Sequence, residues 1–452
     1  MPLPNEFCER MKLILKDKYD LFEQEFYGKI YRALRANTLK TEIELLKCVF
    51  ELDKPTDFCK DSFYLPDNIQ KIGNHLLHHA GAFYMQEPSA SAVVEAIGIE
   101  KGDYVLDLCA SPGGKTTQAA AKLDGEGFIL SNEYVVSRVQ PLVSNIERMG
   151  IVNSLVTSAH PEVLCAQLPV FFDKVIVDAP CSGEGMFRKE SAAIENWNIE
   201  NVKACAERQK KILQSASACV KHGGKMVYST CTYSYEENEQ VVEHFLANNR
   251  DFKLVEPCIS FGEDALSEFA PKTDNIYFAR RIFNFNGGEG HFVAVFQRDG
   301  ELTDSCCSLG VKTDKIHESL LSIFNEFFSE NFIGQPPDDI FIKDDKVYIT
   351  SFMLDLKNVK TARAGIFAGT IRGNRFVPEH ALFNNTKFNP KNIVNFDLQN
   401  INANKFIHGE EIPCDASLKG YVQVRVCNIP LGFGKASNGV LKNHYPKGLR
   451  TL

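Results

Sequence analysis

The chain has 452 residues, with 50 Lys plus Arg against 58 Asp plus Glu, a formal charge of −8, and 44% hydrophobic and 24% charged residues. That composition excludes a disordered chain, and at a usual domain size of about 100–200 residues it implies roughly two to four domains. No run reaches the roughly 18–20 apolar residues of a membrane span, and the start MPLPNEFCERMKLILKDKYD is too charged for a secretory leader, so a cytoplasmic protein without a membrane partner is expected. The 14 cysteines include no CxxC pair, and the only close couple is Cys306–Cys307, so no zinc ribbon or thioredoxin-like site is spelled out. Reduced thiols and no metal are expected. The acidic balance argues against a protein whose whole surface coats nucleic acid.

In chain order, residues 6–27 read as helical, and RALRANTLK follows with Arg35 and Lys40 flanking an alternating apolar pattern. Between Tyr104 and Phe296 the pattern changes to short apolar runs, YVLDLC, GFILSNE, KVIVDAP, GKMVYST and HFVAVFQ, separated by helical segments. Such runs are too apolar to have one wet face, and their alternation with helices predicts a doubly wound α/β sheet. One of those helices is expected over residues 199–221, ending at Gly223–Gly224. The polar stretch 298–314 reads as a linker, followed by the helical HESLLSIFNEFF, the turn signal GQPPDD, and short alternating strands such as KVYITSF and GYVQVRV.

Three stretches carry chemistry. In VLDLCASPGGKTTQAAA a strand, a glycine turn and a helix start follow one another, which lets the backbone approach a ligand at free N–H groups. A P-loop would need glycine where Cys109 stands, and the dinucleotide fingerprint fails because only Gly113 and Gly114 are present. A bland turn is the alternative. Glu133 ends the second apolar run, where a carboxylate can accept both hydroxyls of a ribose, although a strand-end Glu can equally be plain surface. A glycine turn without phosphate credentials plus a ribose acid suggests an adenosine cofactor lacking phosphates, and S-adenosylmethionine fits. DKVIVDAPCSGEGMFRK puts Asp178, Pro180 and Cys181 at the carboxyl end of the fourth buried strand, and KMVYSTCTYSYEENEQ puts Cys231 at the end of the fifth. An isolated cysteine is most often core, but two of them in register with a cofactor turn point to chemistry. C5 of cytosine is a poor nucleophile; a thiolate adding to C6 makes an enamine whose C5 can attack a sulfonium methyl. An acid such as Asp178 offsets charge on the ring, and a second group must assist release once the C5 proton leaves. Cys231 and Cys181 can divide these tasks.

The stretches YMQEPSA, DLCASPGGKTTQ, SNEYVVSR, DAPCSGEGMFRK and YSTCTYSYEENE, with HFVAVFQR and the ending LGFGKASNGVLKNHYPKGLR, resemble the RNA (cytosine-5) methyltransferases of the NOL1/NOP2/Sun type, most closely the bacterial RsmF-like enzymes of small-subunit ribosomal RNA. The resemblance implies an α/β, Rossmann-like class I methyltransferase domain over residues 79–300. A small α+β RNA-binding domain would precede it (1–78), and after a linker (301–314) the C-terminal region (315–452) would end in a PUA-like β-rich RNA-binding module. It implies that Cys109, Ala110, Ser111, Pro112, Gly113, Gly114 and Lys115 wrap the cofactor, that Glu133 holds the ribose and that Arg138 supports the site. By the same resemblance Cys231 is the nucleophile, Cys181 helps release the product, Asp178 contacts cofactor and target base, and Lys115 lies near the reacting centre. Many members carry an acid at the position occupied here by His160, so the adenine contact is expected from a backbone amide there or from His160 itself.

The expected function is methylation of cytosine C5 in 16S ribosomal RNA, by a monomer acting on RNA or the small-subunit particle. Transfer RNA, DNA, or a non-catalytic ribosome-assembly role are the alternatives. His75, His78 and His79 have the spacing of helix-borne zinc ligands but no third partner of the HExxH kind, which favours packing. Trp197 reads as core or as a neighbour of the RNA cleft, and Arg188 and Lys189 as phosphate contacts or solvated surface. After Asp415 no acid follows, while Lys419, Arg425, Lys435, Lys442, Lys447 and Arg450 interleave with Tyr421, Phe433 and Tyr445. That pattern is expected to track an RNA backbone and stack on splayed bases.

Overall fold

The short apolar runs become the strands of one sheet in the computed structural model, which describes residues 3–302, 318–350 and 352–450. In chain order they are β1 (Tyr104–Asp107), β2 (Phe128–Asn132), β3 (Ser154–Ser158), β4 (Phe172–Asp178), β5 (Val220–Thr230), β6 (Phe252–Val255), β7 (Glu263–Asp264), β8 (Arg280–Ile282), β9 (His291–Arg298) and β10 (Lys360–Ala364). The order across the ten-stranded sheet is β7-β8-β9-β5-β4-β1-β2-β3-β10, with β6 paired to β9. Strands β3, β2, β1, β4 and β5 run parallel, and β9 closes the far side antiparallel to β5. The strand order reverses beside β1, so the carboxyl ends of β1, β2, β4 and β5 frame the crevice where open α/β sheets bind ligands.

Both faces of this sheet are covered. Val105, Ile129, Ile176 and Val227 point into one core, and their chain neighbours Leu106, Leu130, Val175 and Tyr228 into the other. This period of two inside continuous apolar runs is why the runs showed no polar face. The helix expected to run to the Gly223–Gly224 pair stops earlier, spanning Ile199–Ser217. The pair lies inside β5, where the register against β4 shifts. Gly223 sits there at φ +76°, and a Cβ on it would come within 2.7 Å of the Leu302 backbone nitrogen.

The N-terminal part divides between two neighbours. Its sheet, in the order Pro55–Thr56, Cys59–Tyr64, Ala33–Ala36 and Phe83–Gln86, extends past residue 78, the expected boundary. Its helices Asn5–Leu15 and Tyr19–Phe26 instead pack on the catalytic unit, with Phe7 edge-on to Trp197 at 5.8 Å and Phe22 edge-on to Tyr233 at 5.4 Å. Helix Glu318–Asn331 covers a four-stranded sheet through Phe324, Phe327 and Phe328. A five-stranded sheet with helix Ile401–His408 ends the described chain. The expected linker at 301–314 lies outside the described residues except for its first two, as do Cys306 and Cys307. Among the described residues no helix is long and apolar enough to cross a membrane.

Candidate active site

The loop after β1 is built for close backbone approach. Leu108 N donates to Ile176 O (3.0 Å) and Ala110 N to Asn132 O (2.9 Å), tying it between β4 and β2. Gly113 has φ +110°, a conformation L side chains rarely adopt, and a Cβ there would crowd Leu142 Cδ1 at 3.2 Å. Helix Gly114–Leu123 then starts with its free N–H groups at the crevice. Ser111 and Arg138 bond reciprocally, Ser111 Oγ to Arg138 O and Arg138 Nη2 to Ser111 O, both at 2.8 Å. Glu133 is buried beyond β2. One of its oxygens accepts from Val135 N (2.8 Å) and the other stands 3.8 Å from Arg138 Nη1. Asp107 accepts from Thr116 Oγ1 (2.6 Å) through one oxygen, while its other oxygen is buried without a partner. Burial pushes the Asp107 carboxyl up to about 7, and burial likewise pushes the Cys109 thiol well up. An uncommitted buried carboxylate oxygen, a second carboxylate poised for a diol and a glycine cradle suit a nucleoside with an amino-acid tail, so these residues fit S-adenosylmethionine.

Two thiols and an ion pair meet at the ends of β4 and β5. Cys181 Sγ and Cys231 Sγ are 3.2 Å apart, and both side chains are half-buried free thiols. Lys115 Nζ lies 2.7 Å from Asp178 Oδ2, and Ser229 Oγ donates to Asp178 Oδ1 at 2.7 Å. Burial alone would raise the Asp178 carboxyl, but Lys115 and then His291 outweigh it and hold it below its ordinary range. For Lys115 burial works downward, and the Asp178 charge outweighs it and raises the ammonium. Both partners are thus ionised. The Cys181 thiol is pushed well up, first by its bond to Cys231 and then by burial.

The four family models that match the chain agree in kind. That of "16S rRNA methyltransferase RsmB/F" covers residues 94–297 and that of the RsmF N-terminal domain 3–88. The first C-terminal domain of RsmF covers 326–383, and the RsmF PUA domain 393–451. Ribosomal RNA small subunit methyltransferase F of Vibrio vulnificus is 31% identical over 467 residues, covering 99% of this chain and 97% of that protein. The chain belongs to the ribosomal RNA small subunit methyltransferase F family. The Serratia proteamaculans member is 39% identical over 267 residues, covering 56% of this chain and 55% of its own. Among solved structures, a methyltransferase homolog from Pyrococcus horikoshii is 27% identical with a TM-score of 0.56, covering 62% of this chain and 91% of that one. Like the family, the protein has the class I, Rossmann-like methyltransferase fold and is an S-adenosylmethionine-dependent methyltransferase.

In this family member the fold gathers Cys109 to Lys115, Glu133, Arg138, Asp178, Cys181 and Cys231 at one sheet edge. His160 stands at the end of β3, exposed, its ring edge-on to Tyr134 at 5.3 Å. Other expectations change. Arg188 is not a phosphate contact: its guanidinium lies 3.2 Å from Glu289 Oε2 and donates to Gly28 O and Lys29 O, fastening the N-terminal segment. Lys189 is exposed. Trp197 is core, donating from Nε1 to Glu184 Oε1 at 2.9 Å. Phe433 and Tyr445 do not face solvent, because Phe433 stacks on Phe383 at 4.6 Å and Tyr445 binds His79 at 3.0 Å. Tyr421 is half-buried, and Lys435 Nζ sits 5.3 Å above its ring. His75 caps its helix at Leu77 N and His78 packs on Phe83, so the histidines serve packing. Cys59, Asp61 and Glu95 approach one another as metal ligands would, but Lys122 Nζ already lies 2.8 Å from Glu95 and 3.3 Å from Asp61. The sequence reading missed Ser229, His291, Gln209, Glu184 and Glu237. All but Gln209 stand inside stretches quoted above, and only the fold reveals that they are buried.

Proposed function

We propose that the protein methylates C5 of a cytosine in 16S ribosomal RNA, as a monomer, without a metal, in the cytoplasm. The observation that carries the reading is the Cys181–Cys231 pair, 3.2 Å apart beside the Lys115–Asp178 ion pair. S-adenosylmethionine supplies, when bound, an electrophilic methyl group. The loop from Cys109 to Lys115 would hold it, with Glu133 at the ribose, Arg138 in support, and the end of β3 with His160 on the adenine side. The Cys231 thiolate adds to C6 of the cytosine, forming a carbon–sulfur bond and making C5 nucleophilic. Asp178, held ionised by Lys115, steadies the charge that develops on the amidine side of the ring. With Cys231 bonded to C6, the contact that holds the Cys181 thiol up is gone; Cys181 gives its own proton to water and, as a thiolate, takes the C5 proton once C5 carries the methyl group, while the bond to Cys231 breaks and restores the aromatic ring. RNA is held by the N-terminal unit (1–78) and the C-terminal region (315–452, after the 301–314 linker), which pack on one another beside the catalytic unit (79–300).

Bisulfite sequencing of total RNA from a strain lacking the gene is expected to show loss of signal at small-subunit ribosomal cytosines. Loss confined to transfer RNA would overturn the substrate, and no loss would favour an RNA-binding assembly role. With purified protein, Cys231→Ala is expected to lower methyl transfer by about 10³-fold or more. Cys181→Ala is expected to leave a protein–RNA adduct that survives a denaturing gel. Full activity in Cys231→Ala would reverse the assignment.

A further inference from the structure

Cys181 and Cys231 ride on separate loops, and each loop contributes a buried carboxylate that grips the other. Glu184, on the Cys181 loop, accepts from Thr232 Oγ1 (2.8 Å), Tyr233 N (2.9 Å) and Ser234 Oγ (2.6 Å), the residues that follow Cys231. Glu237, on the segment after Cys231, accepts from Ser182 N (3.0 Å) and from Gln209 Nε2 (2.7 Å). The same Gln209 amide donates to Pro180 O at 3.1 Å, so the peptide units on both sides of Cys181 are held. Ser182 Oγ and Thr232 Oγ1, 2.8 Å apart, join the two loops directly. Glu184 is 2% exposed, and Glu237 and Gln209 are fully buried.

Carboxylates are buried at this depth only when their hydrogen bonds repay the desolvation, so Glu237 is committed to the loop it grips, while Glu184 serves the Cys231 loop and, through Oε1, also Trp197 Nε1 at 2.9 Å. Thiol chemistry tolerates little error in where the two sulfurs stand. The second oxygen of Glu237 is buried without a partner. Burial pushes its carboxyl up to about 7, which suits an acceptor that works through one oxygen alone.

We infer that Glu184 and Glu237 are positioning residues forming a crossed brace, in which Glu237 sets the place of Cys181 and Glu184 sets the place of Cys231. The inference rests on the assignment of Cys231 as nucleophile and Cys181 as the release thiol. Because the grip of Glu237 straddles Cys181 while the Cys231 loop keeps Glu184, losing Glu237 should impair release and spare addition.

The test uses the full chain with S-adenosylmethionine and unmodified small subunits, reading single-turnover methyl transfer, steady-state turnover and adduct on a denaturing gel. Glu237→Ala and, separately, Gln209→Leu are expected to lower turnover by about tenfold and raise the adduct by a similar factor, with single-turnover transfer changed by less than about threefold. Glu237→Gln keeps an oxygen for Ser182 N and is expected to recover most of the turnover. Glu184→Ala is expected to lower adduct and transfer together. Cys181→Ala runs alongside. If it accumulates adduct and neither Glu237→Ala nor Gln209→Leu does, the brace is overturned while the thiol roles stand. If Cys181→Ala itself fails to accumulate adduct, the thiol roles fall first and the brace falls with them.

Discussion

Lys115 and Asp178 are perturbed in opposite directions by one cause, their mutual approach at 2.7 Å inside a half-buried crevice. Burial opposes charge on each, and the pair overcomes it only while both members are present. Lys115→Met therefore leaves Asp178 desolvated with its main cation gone, and its pKa rises. Asp178 works as a carboxylate, so activity is lost as pH falls through its pKa, and in the variant that loss begins at higher pH. The expected outcome is an acid limb displaced upward in the single-turnover pH–rate profile, with transfer at neutral pH reduced by about tenfold or more. An unmoved acid limb would show that Lys115 does not control Asp178. Arg188 and Trp197 teach the converse at the same scale. Each carries a side chain that could meet RNA, and each spends its donors inside the protein, on Gly28 O and Lys29 O in one case and on Glu184 in the other.

At the scale of elements, the turn Glu184–Met186 shows how tightly the two thiol loops are joined. Gly185 N donates to Cys231 O at 2.9 Å, and a Cβ on Gly185 would stand 2.8 Å from Gly290 O and 3.1 Å from both Cys231 O and Glu289 O. Every atom it would meet is backbone, so no side chain can swing away. Gly185→Ala must displace either this turn or the Glu289–Gly290 and Cys231 backbone it faces, and a shift of about 1 Å between reacting groups costs on the order of 10²-fold in rate. Methyl transfer is expected to fall by about that factor while the melting temperature drops only a few degrees, by roughly 1–3 kcal/mol of overpacking. Wild-type rates in Gly185→Ala would mean the loops tolerate being spread. The N-terminal helices act on the same region from outside. Phe7 lies 5.1 Å from Phe187 and Phe22 edge-on to Tyr233, so the start of the chain buttresses the loops that carry Cys181 and Cys231.

At the scale of the molecule, the ends of the chain share one core. Leu34 and Phe83 of the N-terminal sheet and Leu46 of the helix Ile43–Phe50 cluster with Phe406, Val422 and Leu431 of the last module. Lys40 pins the junction, its buried ammonium donating to Ala80 O (2.8 Å), Arg148 O (3.1 Å) and Asn384 Oδ1 (3.1 Å). Strand β10, from the C-terminal region, pairs with β3 and completes the catalytic sheet. Neutral histidines line this junction: burial lowers His380 and His79 to about 4, and His380 Nε2 bonds Leu431 O at 3.2 Å. The unfolded chain takes up a proton on His380 near pH 6.5, the folded one only near about 4. Stability from this group is therefore complete above pH 6.5 and declines as pH falls toward 4, by about 2 kcal/mol at pH 5. Asp107 and Glu237, raised to about 7, act in the opposite sense. The readout is accordingly a difference: denaturant unfolding at pH 7 and pH 5 should show wild type losing more stability than His380→Leu. Equal losses would mean His380 is not buried neutral.

Motif spacing was enough to place the strands of the central sheet, the glycine turn after β1 and two cysteines at strand ends, because buried parallel strands and a glycine turn each leave a local signature: an apolar run, a pair of glycines, a cysteine at a strand end. The same locality explains the misreadings. Gly223–Gly224 looked like a helix stop because a bulge in a strand needs the same residues, and Phe433 and Tyr445 looked like stacking platforms because an aromatic among lysines reads alike whether it faces RNA or a core. Burial, partner and register are not properties of a segment. That Glu184 and Glu237 grip each other's loops, that Arg188 is spent on the N-terminal segment, and that β10 crosses over to close the sheet depend on contacts between residues far apart in the chain. Only the tertiary structure decides those, since a buried polar group is defined by whatever else is packed around it.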